Sequence, residues 1–368
     1  MRVYLDHNAT APLRPDARDA MLAFLGVPAN ASSAHREGAR ARSAVEAARA
    51  EVAALVGASP AEIVFTSGAT EANNLALRGA GRNGTIVAPA IEHASVLETA
   101  RAVGDLRLVP VDRNGRVVAD DVVAAVDATT RVVSVGLANG EVGSVAPVAE
   151  IAAAVRGTLV HSDAAQAAGR IPVDVGALGV DLLSLSAHKL GGPAGVGALY
   201  VRAGVTLTPE LTGGPQERGR RAGTENVLAI VGFGVAARLA REEVSTRTTA
   251  LVDRLWAGLR ARVPGVVRNG PTDGARLPNT LNVRFPGASG ESLLVLLDLA
   301  GIAVSLGSAC AAGSAEPSHV LLAMGQDRAA ARSGIRLSLG WSTTADDVDR
   351  VLDVLPHLVA QARGERAA

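Results

Sequence analysis

Apolar and polar positions along this chain alternate between two periods. Short, dense apolar runs at Ile63-Val-Phe-Thr66, Thr85-Ile-Val-Ala88, Leu106 to Val111, Arg131 to Val135, Leu159 to His161 and Leu182 to Ser186 predict β-strands. Helical patterns lie between several of them. Glu37 to Val56 carries Val45, Val52 and Leu55 at helical spacing, and Gly57 stops it. A second helix is predicted from Thr70 to Arg78 and a third after His93, and Gly197 to Val201 adds a strand. Alternating β and α segments predict a mostly parallel sheet covered on both faces. A long helical stretch runs from about Val231 through Val244, after which the texture changes. Asn279 to Phe285, Ala303 to Ser305 and Ile335 to Ser338 read as strands of a second unit, with helices at Leu293 to Leu299 and Ala345 to Ala360. No internal repeat or low-complexity linker interrupts the pattern, and residues 363–368 are expected to fray.

The 368 residues suffice for one large domain and a smaller one, and an apolar content of 48% supports a sizeable core. Lys plus Arg and Asp plus Glu each total 36, so no basic excess points to direct nucleic-acid binding. The most apolar stretch, Leu293 to Leu306, is broken by Asp298 and Gly301 and is too short to span a membrane. The N-terminus reaches Asp6 before any hydrophobic run, unlike a secretory signal. One cysteine excludes an internal disulfide framework and any multi-cysteine metal site, so no metal is expected and the cytoplasm is the default compartment.

A single lysine, Lys189, stands among 36 basic residues. Surface lysines can drift to arginine at little cost, since both are cations on long stems. A lysine that must lose its proton cannot, because guanidinium stays charged. Lys189 is therefore a candidate for amine chemistry such as a Schiff base; the alternative is a chance survivor on the surface.

Position strengthens the first reading. Lys189 lies just past the strand-like Asp181-Leu-Leu-Ser-Leu-Ser-Ala-His188, and open α/β sheets bind ligands at the carboxyl ends of strands. Asp163 ends another strand, with Gln166 three residues on. A carboxylate there can face a ring nitrogen of a pyridoxal cofactor or simply cap a helix. Ser67-Gly-Ala69-Thr70 joins a strand to a helix and leaves backbone N–H groups for a phosphate, a weak signal alone. His93 at a helix start can stack on a planar ring and move protons, or be an ordinary terminal histidine. Cys310 sits in the small-residue run Gly307-Ser-Ala-Cys-Ala-Ala-Gly-Ser-Ala315, which suits a nucleophile on a mobile loop. Arg336, in an apolar strand-like setting, suits either a carboxylate clamp or a structural ion pair. Gly232-Phe-Gly234 lies inside a helical pattern and reads as close helix packing, not as a dinucleotide fingerprint.

Together these segments resemble the cysteine desulfurases of the NifS/IscS type, pyridoxal 5'-phosphate (PLP) enzymes of fold type I in the class V aminotransferase family. The resemblance runs from Leu5-Asp-His-Asn-Ala-Thr10 to Ile335-Arg-Leu-Ser-Leu-Gly340. It includes Asn30-Ala-Ser-Ser, Thr66-Ser-Gly-Ala-Thr-Glu-Ala-Asn73, Glu92-His93, Asp163-Ala-Ala-Gln166, Ser186-Ala-His-Lys189, Gln216-Glu-Arg-Gly-Arg-Arg-Ala-Gly-Thr224 and Gly307-Ser-Ala-Cys310. It implies an α/β fold with a mostly parallel seven-stranded sheet in a large domain, residues 15–246, and a smaller α+β domain from residues 1–14 and 247–368. It implies that Lys189 carries PLP, that Asp163 pairs with the pyridine nitrogen, that Gln166 bonds the ring hydroxyl and that His93 stacks on the ring and shuttles protons. Ala69, Thr70, Ser186 and His188 would surround the phosphate. Thr224 would reach the phosphate of a neighbouring subunit, which implies a homodimer. Arg336, with Asn30, would bind the substrate carboxylate. Cys310 would take sulfur from L-cysteine as a persulfide and pass it to an acceptor protein, in iron–sulfur cluster assembly or another thiolation pathway.

The chain departs from that pattern in places. Asn139-Gly140-Glu-Val-Gly143 has one asparagine where two are usual, and Gly140 aligns with the ring-contacting one, leaving Asn139 as the candidate for that contact. Leu306 replaces a small polar residue, and Pro215 a glycine. A selenocysteine lyase or an aminotransferase on the same fold, and a sulfur-transfer subunit that has lost activity, are the competing readings.

Overall fold

The computed structural model describes residues 2–81, 84–243, 246–307 and 316–364. Twelve strands are named in chain order among them: β1 (Val3–Tyr4), β2 (Ile63–Thr66), β3 (Thr85–Pro89), β4 (Asp105–Val109), β5 (Thr130–Ser134), β6 (Leu159–Asp163), β7 (Leu182–Ser186), β8 (Gly197–Val201), β9 (Val267–Asn269), β10 (Thr280–Arg284), β11 (Ile302–Ala303) and β12 (Gly334–Ser338). Seven form one sheet in the order β2-β8-β7-β6-β5-β3-β4. Strand β8 runs antiparallel to both its neighbours and the other pairings are parallel, giving the mostly parallel sheet expected from the sequence. Every residue of β2, β3, β7 and β8 is buried, which is why these strands read as unbroken apolar runs.

Helices cover the sheet. In the helix Arg36–Leu55, the buried Ala41, Val45, Ala48 and Val52 form one stripe. It packs on the helix Val227–Glu242 at very short range. A Cβ on Gly234 would stand 2.6 Å from the Ala48 Cα, and one on Gly232 would stand 2.7 Å from the Met21 sulfur. The Gly-Phe-Gly segment is thus close packing, as the sequence suggested.

A separate core gathers Val3, Leu5, Leu255, Leu281, Phe285, Leu297, Ile335, Leu337 and Leu355. It contains the sheet β12-β10-β9 and the pair β1-β11. Chain ends and C-terminal strands meet here because Asp6 bridges to Ser338 and Val3 registers with Ile302. The sequence missed β1 and β9, which are too short to show a period.

Parallel order brings the strand ends that matter side by side. In adjacent β6 and β7, Asp163 registers with Ser184, and Lys189 follows in a 3₁₀ turn over Ala187–Lys189. Beneath them a polar ladder crosses the sheet. His161 shares a hydrogen bond with Ser134 at 2.8 Å and with Ser184 at 3.0 Å, so this buried histidine is satisfied.

The loop at Gln216–Gly219 is anchored differently. Glu217, at φ 46°, accepts two bonds from Arg49 at 2.7 and 2.9 Å and one from the Phe65 N–H at 2.8 Å. Arg49 also lies over the Phe65 ring at 4.7 Å. Both charged side chains are buried. Removing one partner strands the other in low dielectric. Arg49→Met is therefore expected to cost about 3–5 kcal/mol of folding stability, measured by chemical denaturation; a loss below about 1 kcal/mol would show that the pair does not anchor this loop.

Candidate active site

A cleft opens at the carboxyl ends of β5, β6 and β7, where the large sheet meets the second core. Its walls include Asn8, Glu92, His93, Asp163, Gln166 and Lys189, with Glu141, Gly307, His319 and Arg336 on the facing side.

Lys189 is largely buried there. Its Nζ donates to the backbone carbonyls of Asn8 at 2.5 Å and Ala9 at 2.8 Å. Burial, then the charges of Arg170 and Arg336, lower its pKa to about 7, against the opposing pull of Asp163 and Asp6. Among the described residues no carboxylate forms an ion pair with it. The amine is poised to be neutral near neutral pH.

Asp163 is held from two sides. Its Oδ2 accepts from Asn73 Nδ2 at 2.7 Å and its Oδ1 from the Ala165 N–H at 2.9 Å. Asn73 also donates to Ser95 Oγ at 2.9 Å, and Ser95 Oγ lies 2.8 Å from His93 Nδ1. His93 caps the helix Ala94–Val103, its Nδ1 accepting from the Ser95 N–H at 3.1 Å. That bond leaves the proton of the neutral ring on Nε2. Desolvation by the cleft walls holds the His93 pKa below its ordinary value. One network therefore fixes both the carboxylate and the imidazole, through Asn73 and Ser95.

Other residues singled out from the sequence fall in three places. Gln166 lines the cleft and donates to the Asn8 carbonyl at 3.0 Å. Ser186 and His188 flank it at the end of β7, and His188 lies 3.2 Å from Thr10 Oγ1. Burial, followed by the charges of Lys189 and Arg170, lowers the His188 pKa to about 4. Ala69 and Thr70 open the helix Ala69–Gly81, whose first-turn N–H groups have no acceptor inside the helix. Thr224 lines a neighbouring groove with Ser67 and Arg221. Arg221 ties that loop to the same helix by donating to Glu71 at 2.8 Å.

Arg336 projects from β12 into the opposite wall. It pairs with Asp6 at 2.7 Å and donates to the Gly307 carbonyl at 2.9 Å, while its buried Nε has no partner. Asn139 lines the cleft, but its amide is engaged in a turn: Oδ1 accepts from the N–H groups of Glu141 and Val142, and Nδ2 donates to the Ile91 carbonyl. Asn30 is not on the cleft wall, and its Oδ1 accepts from the Ser32 N–H at 2.9 Å. Cys310 lies outside the described residues; Gly307, three positions before it, lines the cleft.

Several cleft groups escaped the sequence reading. Burial raises Glu92 to about 8, helped by the nearby Asp163 charge, and raises Glu141 to about 7. Asn8 joins four segments: it donates to the Gly140 carbonyl and to Thr280 Oγ1, accepts from Asn279, and offers its own carbonyl to Lys189. Only proximity in space reveals these roles. Glu92 and Asn8 lie inside recognisable motifs, which is the one signal that pointed toward them.

The chain is similar to known proteins over nearly its whole length. The aminotransferase class-V family model matches residues 3–351, and the chain belongs to this family. A protein from Gluconacetobacter diazotrophicus named cysteine desulfurase is 47% identical over 378 residues, covering 98% of this chain and 94% of that protein. A solved NifS-like protein superposes with a TM-score of 0.91 at 39% identity, covering 98% of this chain and all of that one. A structure described as SspA in complex with cysteine matches with a TM-score of 0.81 at 34% identity, over 92% of this chain and 99% of that one.

Gly140 has a direct structural role. A Cβ there would lie 2.6 Å from Gln166 Nε2 and 2.8 Å from its Cγ. The Gln166 side chain fills the space that a larger residue at 140 would need, and its amide is held by neighbours on both sides. Restoring an asparagine at this position is therefore a clash, not a repair. Gly140→Ala is expected to cost about 1–3 kcal/mol, and the combination with Gln166→Ala should recover about 1 kcal/mol or more of it. Thermal denaturation of the two single variants and the double variant measures the coupling; strict additivity would show that the two positions do not compete.

Proposed function

We propose that this chain is a PLP-dependent cysteine desulfurase, converting L-cysteine to L-alanine and carrying the released sulfur as a persulfide on Cys310. One observation carries the reading: the sole lysine is a desolvated amine in a cleft shared with Asp163 and His93, and the sole cysteine follows a residue of the same cleft by three positions. Three residues of extended chain reach about 10 Å, so the thiol can be delivered to that cleft.

The donor set fits PLP. The neutral amine of Lys189 suits the cofactor's aldehyde, Asp163 suits its ring nitrogen, and the first-turn N–H groups at Ala69 and Thr70 suit its phosphate. When bound, PLP supplies an electron sink that stabilises charge released at the substrate Cα. Gln166 Nε2 would hydrogen-bond the ring hydroxyl, His93 would stack on the ring, and Ser186 and His188 would complete the phosphate surroundings. Thr224 would complete the phosphate site of a second copy, in a homodimer. Asn139 and Gly140 would form the wall beside the ring.

Arg336 grips the substrate carboxylate; Asn30, which lies off the cleft wall, is not assigned a contact. The unpartnered Nε and the adjacent Asp6 ion pair mean that the carboxylate competes with Asp6 for this guanidinium. Lys189 Nζ takes the Cα proton of the substrate, and His93 Nε2 holds a proton for the return step. The Cys310 thiolate attacks the substrate sulfur: the Cβ–S bond breaks, an S–S bond forms and L-alanine leaves after protonation. The electron pair of the broken Cβ–S bond stays on carbon, so Cβ is reduced to the methyl group of L-alanine as the sulfur rises to the sulfane level of the persulfide, and no external oxidant is required. The persulfide passes to an acceptor protein, an iron–sulfur scaffold or a thiolation enzyme. One cysteine suits a reducing compartment, and we place the enzyme in the cytoplasm. Among the described residues no helix is long and apolar enough to cross a membrane.

Two variants test the assignments. Cys310→Ala is expected to retain PLP and its visible absorption but to lose nearly all sulfide and alanine, quantified together anaerobically with L-cysteine and a reductant. Normal turnover in that variant would remove Cys310 as the nucleophile. Lys189→Ala should lose the visible absorption of the lysine-bound cofactor, and an unchanged spectrum would remove Lys189 from the chemistry.

A further inference from the structure

We propose that Arg170 is a positioning residue of this site, fixing the Gln166 amide and acting as a cation on the Lys189 amine from behind the cleft. The proposal rests on the functional reading only in saying what the amine is for.

Arg170 touches the site from a second cavity, which it lines with His7, Arg14, Lys189 and Trp341. Its guanidinium donates to Gln166 Oε1 and, at 2.9 Å, to the Gln166 carbonyl. It also reaches the carbonyls of His7 and Lys189, both at 3.4 Å. Among the described residues no carboxylate pairs with it. A cation held only by neutral acceptors keeps its full field, whereas an ion-paired arginine would be largely cancelled.

Two consequences follow. With Oε1 committed to Arg170, the Gln166 amide has one orientation, and Nε2 faces Asn8 and the cleft. The field of Arg170 also bears on a cluster of basic groups. After burial itself, it is the largest influence lowering the affinity of Lys189 for a proton, and it acts in the same direction on His7 and His188. Arg336 adds to it, while Asp163 and Asp6 oppose it. His93 lies on the cleft side of the amine and is itself influenced by Lys189. This cation behind the amine, with no carboxylate partner among the described residues, thus favours its neutral, nucleophilic form.

The composition of the chain makes this directly measurable. With one lysine, lysine labelled with ¹³C at Cε gives one side-chain signal from the full-length protein. In the unaltered chain, stripped of cofactor, that signal is expected to titrate near pH 7. A midpoint near the ordinary value of about 10.4 would overturn the proposal without any variant. Arg170→Gln, which removes the charge, should raise the midpoint by about one pH unit or more, a tenfold gain in proton affinity. A correctly folded Arg170→Gln with an unmoved midpoint would overturn it. Arg170→Lys keeps the charge and guards against a folding failure. Its extra signal is assigned in the Arg170→Lys, Lys189→Ala double variant. In the Arg170→Lys single variant the Lys189 midpoint should stay within about half a pH unit of the unaltered chain; return to the ordinary value would overturn the electrostatic role. The titration uses no cofactor and no substrate. Its failure is thereby distinguishable from failure of the desulfurase reading, which turnover and Cys310→Ala decide.

Discussion

Desolvation of the Lys189 amine, in the company of Arg170 and Arg336, is the constraint around which the other parts of the cleft are arranged. A lysine in water is protonated and inert as a nucleophile. Burial and like charge remove that protonation, and only the rigid surroundings can supply both at once. The two carbonyls that receive Nζ belong to Asn8 and Ala9, so the N-terminal segment is part of the amine's housing. Asn8 in turn holds the Gly140 backbone and Thr280. The two hydrophobic cores are thus joined through the same few atoms that position the lysine.

The parallel sheet explains why this arrangement is rigid. Strands β6 and β7 are adjacent and in register, and each ends on a residue whose successors form the site. Asp163 and Lys189 are separated by 26 positions in the sequence, yet the sheet delivers both to one edge. Side-chain networks then fix orientation. Asn73 and Ser95 hold Asp163 and His93 together, while Arg170 and Gly140 confine Gln166. Each polar contact is made in a partly dry environment, where hydrogen bonds are stronger and an unpaired group costs more.

Opposite this rigid floor, the second core contributes Arg336 and Gly307. Arg336 already has an anionic partner in Asp6. A carboxylate ligand would therefore meet a guanidinium whose charge is already paired with Asp6 but whose buried Nε has no partner, so selection would rest on making better bonds than Asp6 does. Such competition favours a ligand able to engage the guanidinium with both oxygens.

Much of this was legible without coordinates. The apolar runs located all seven strands of the main sheet: β2, β3, β7 and β8 are buried on both faces and read as unbroken apolar runs, and the more exposed edge strand β4 still carries Leu106, Leu108 and Val109. Lys189 stood out because guanidinium cannot replace an amine that must deprotonate, and the glycines of the Gly-Phe-Gly segment stood out because a helix rarely tolerates them without a packing reason. Short elements such as β1 and β9 carry too few residues to show a period. The roles of Asn8, Asn73, Glu141 and Arg170 depend on which atoms face them, and spacing along the chain does not encode that. The sequence by itself determined the fold class and the order of the strands along the chain and singled out Lys189 as the candidate amine, since these follow from periodicity and from what each side chain can do. Only the tertiary structure decided that burial and nearby cations draw the pKa of this amine down to about 7, that among the described residues no carboxylate pairs with Arg170 behind it and that Gly140 makes room for Gln166, because burial, field and steric contact exist only once distant segments meet.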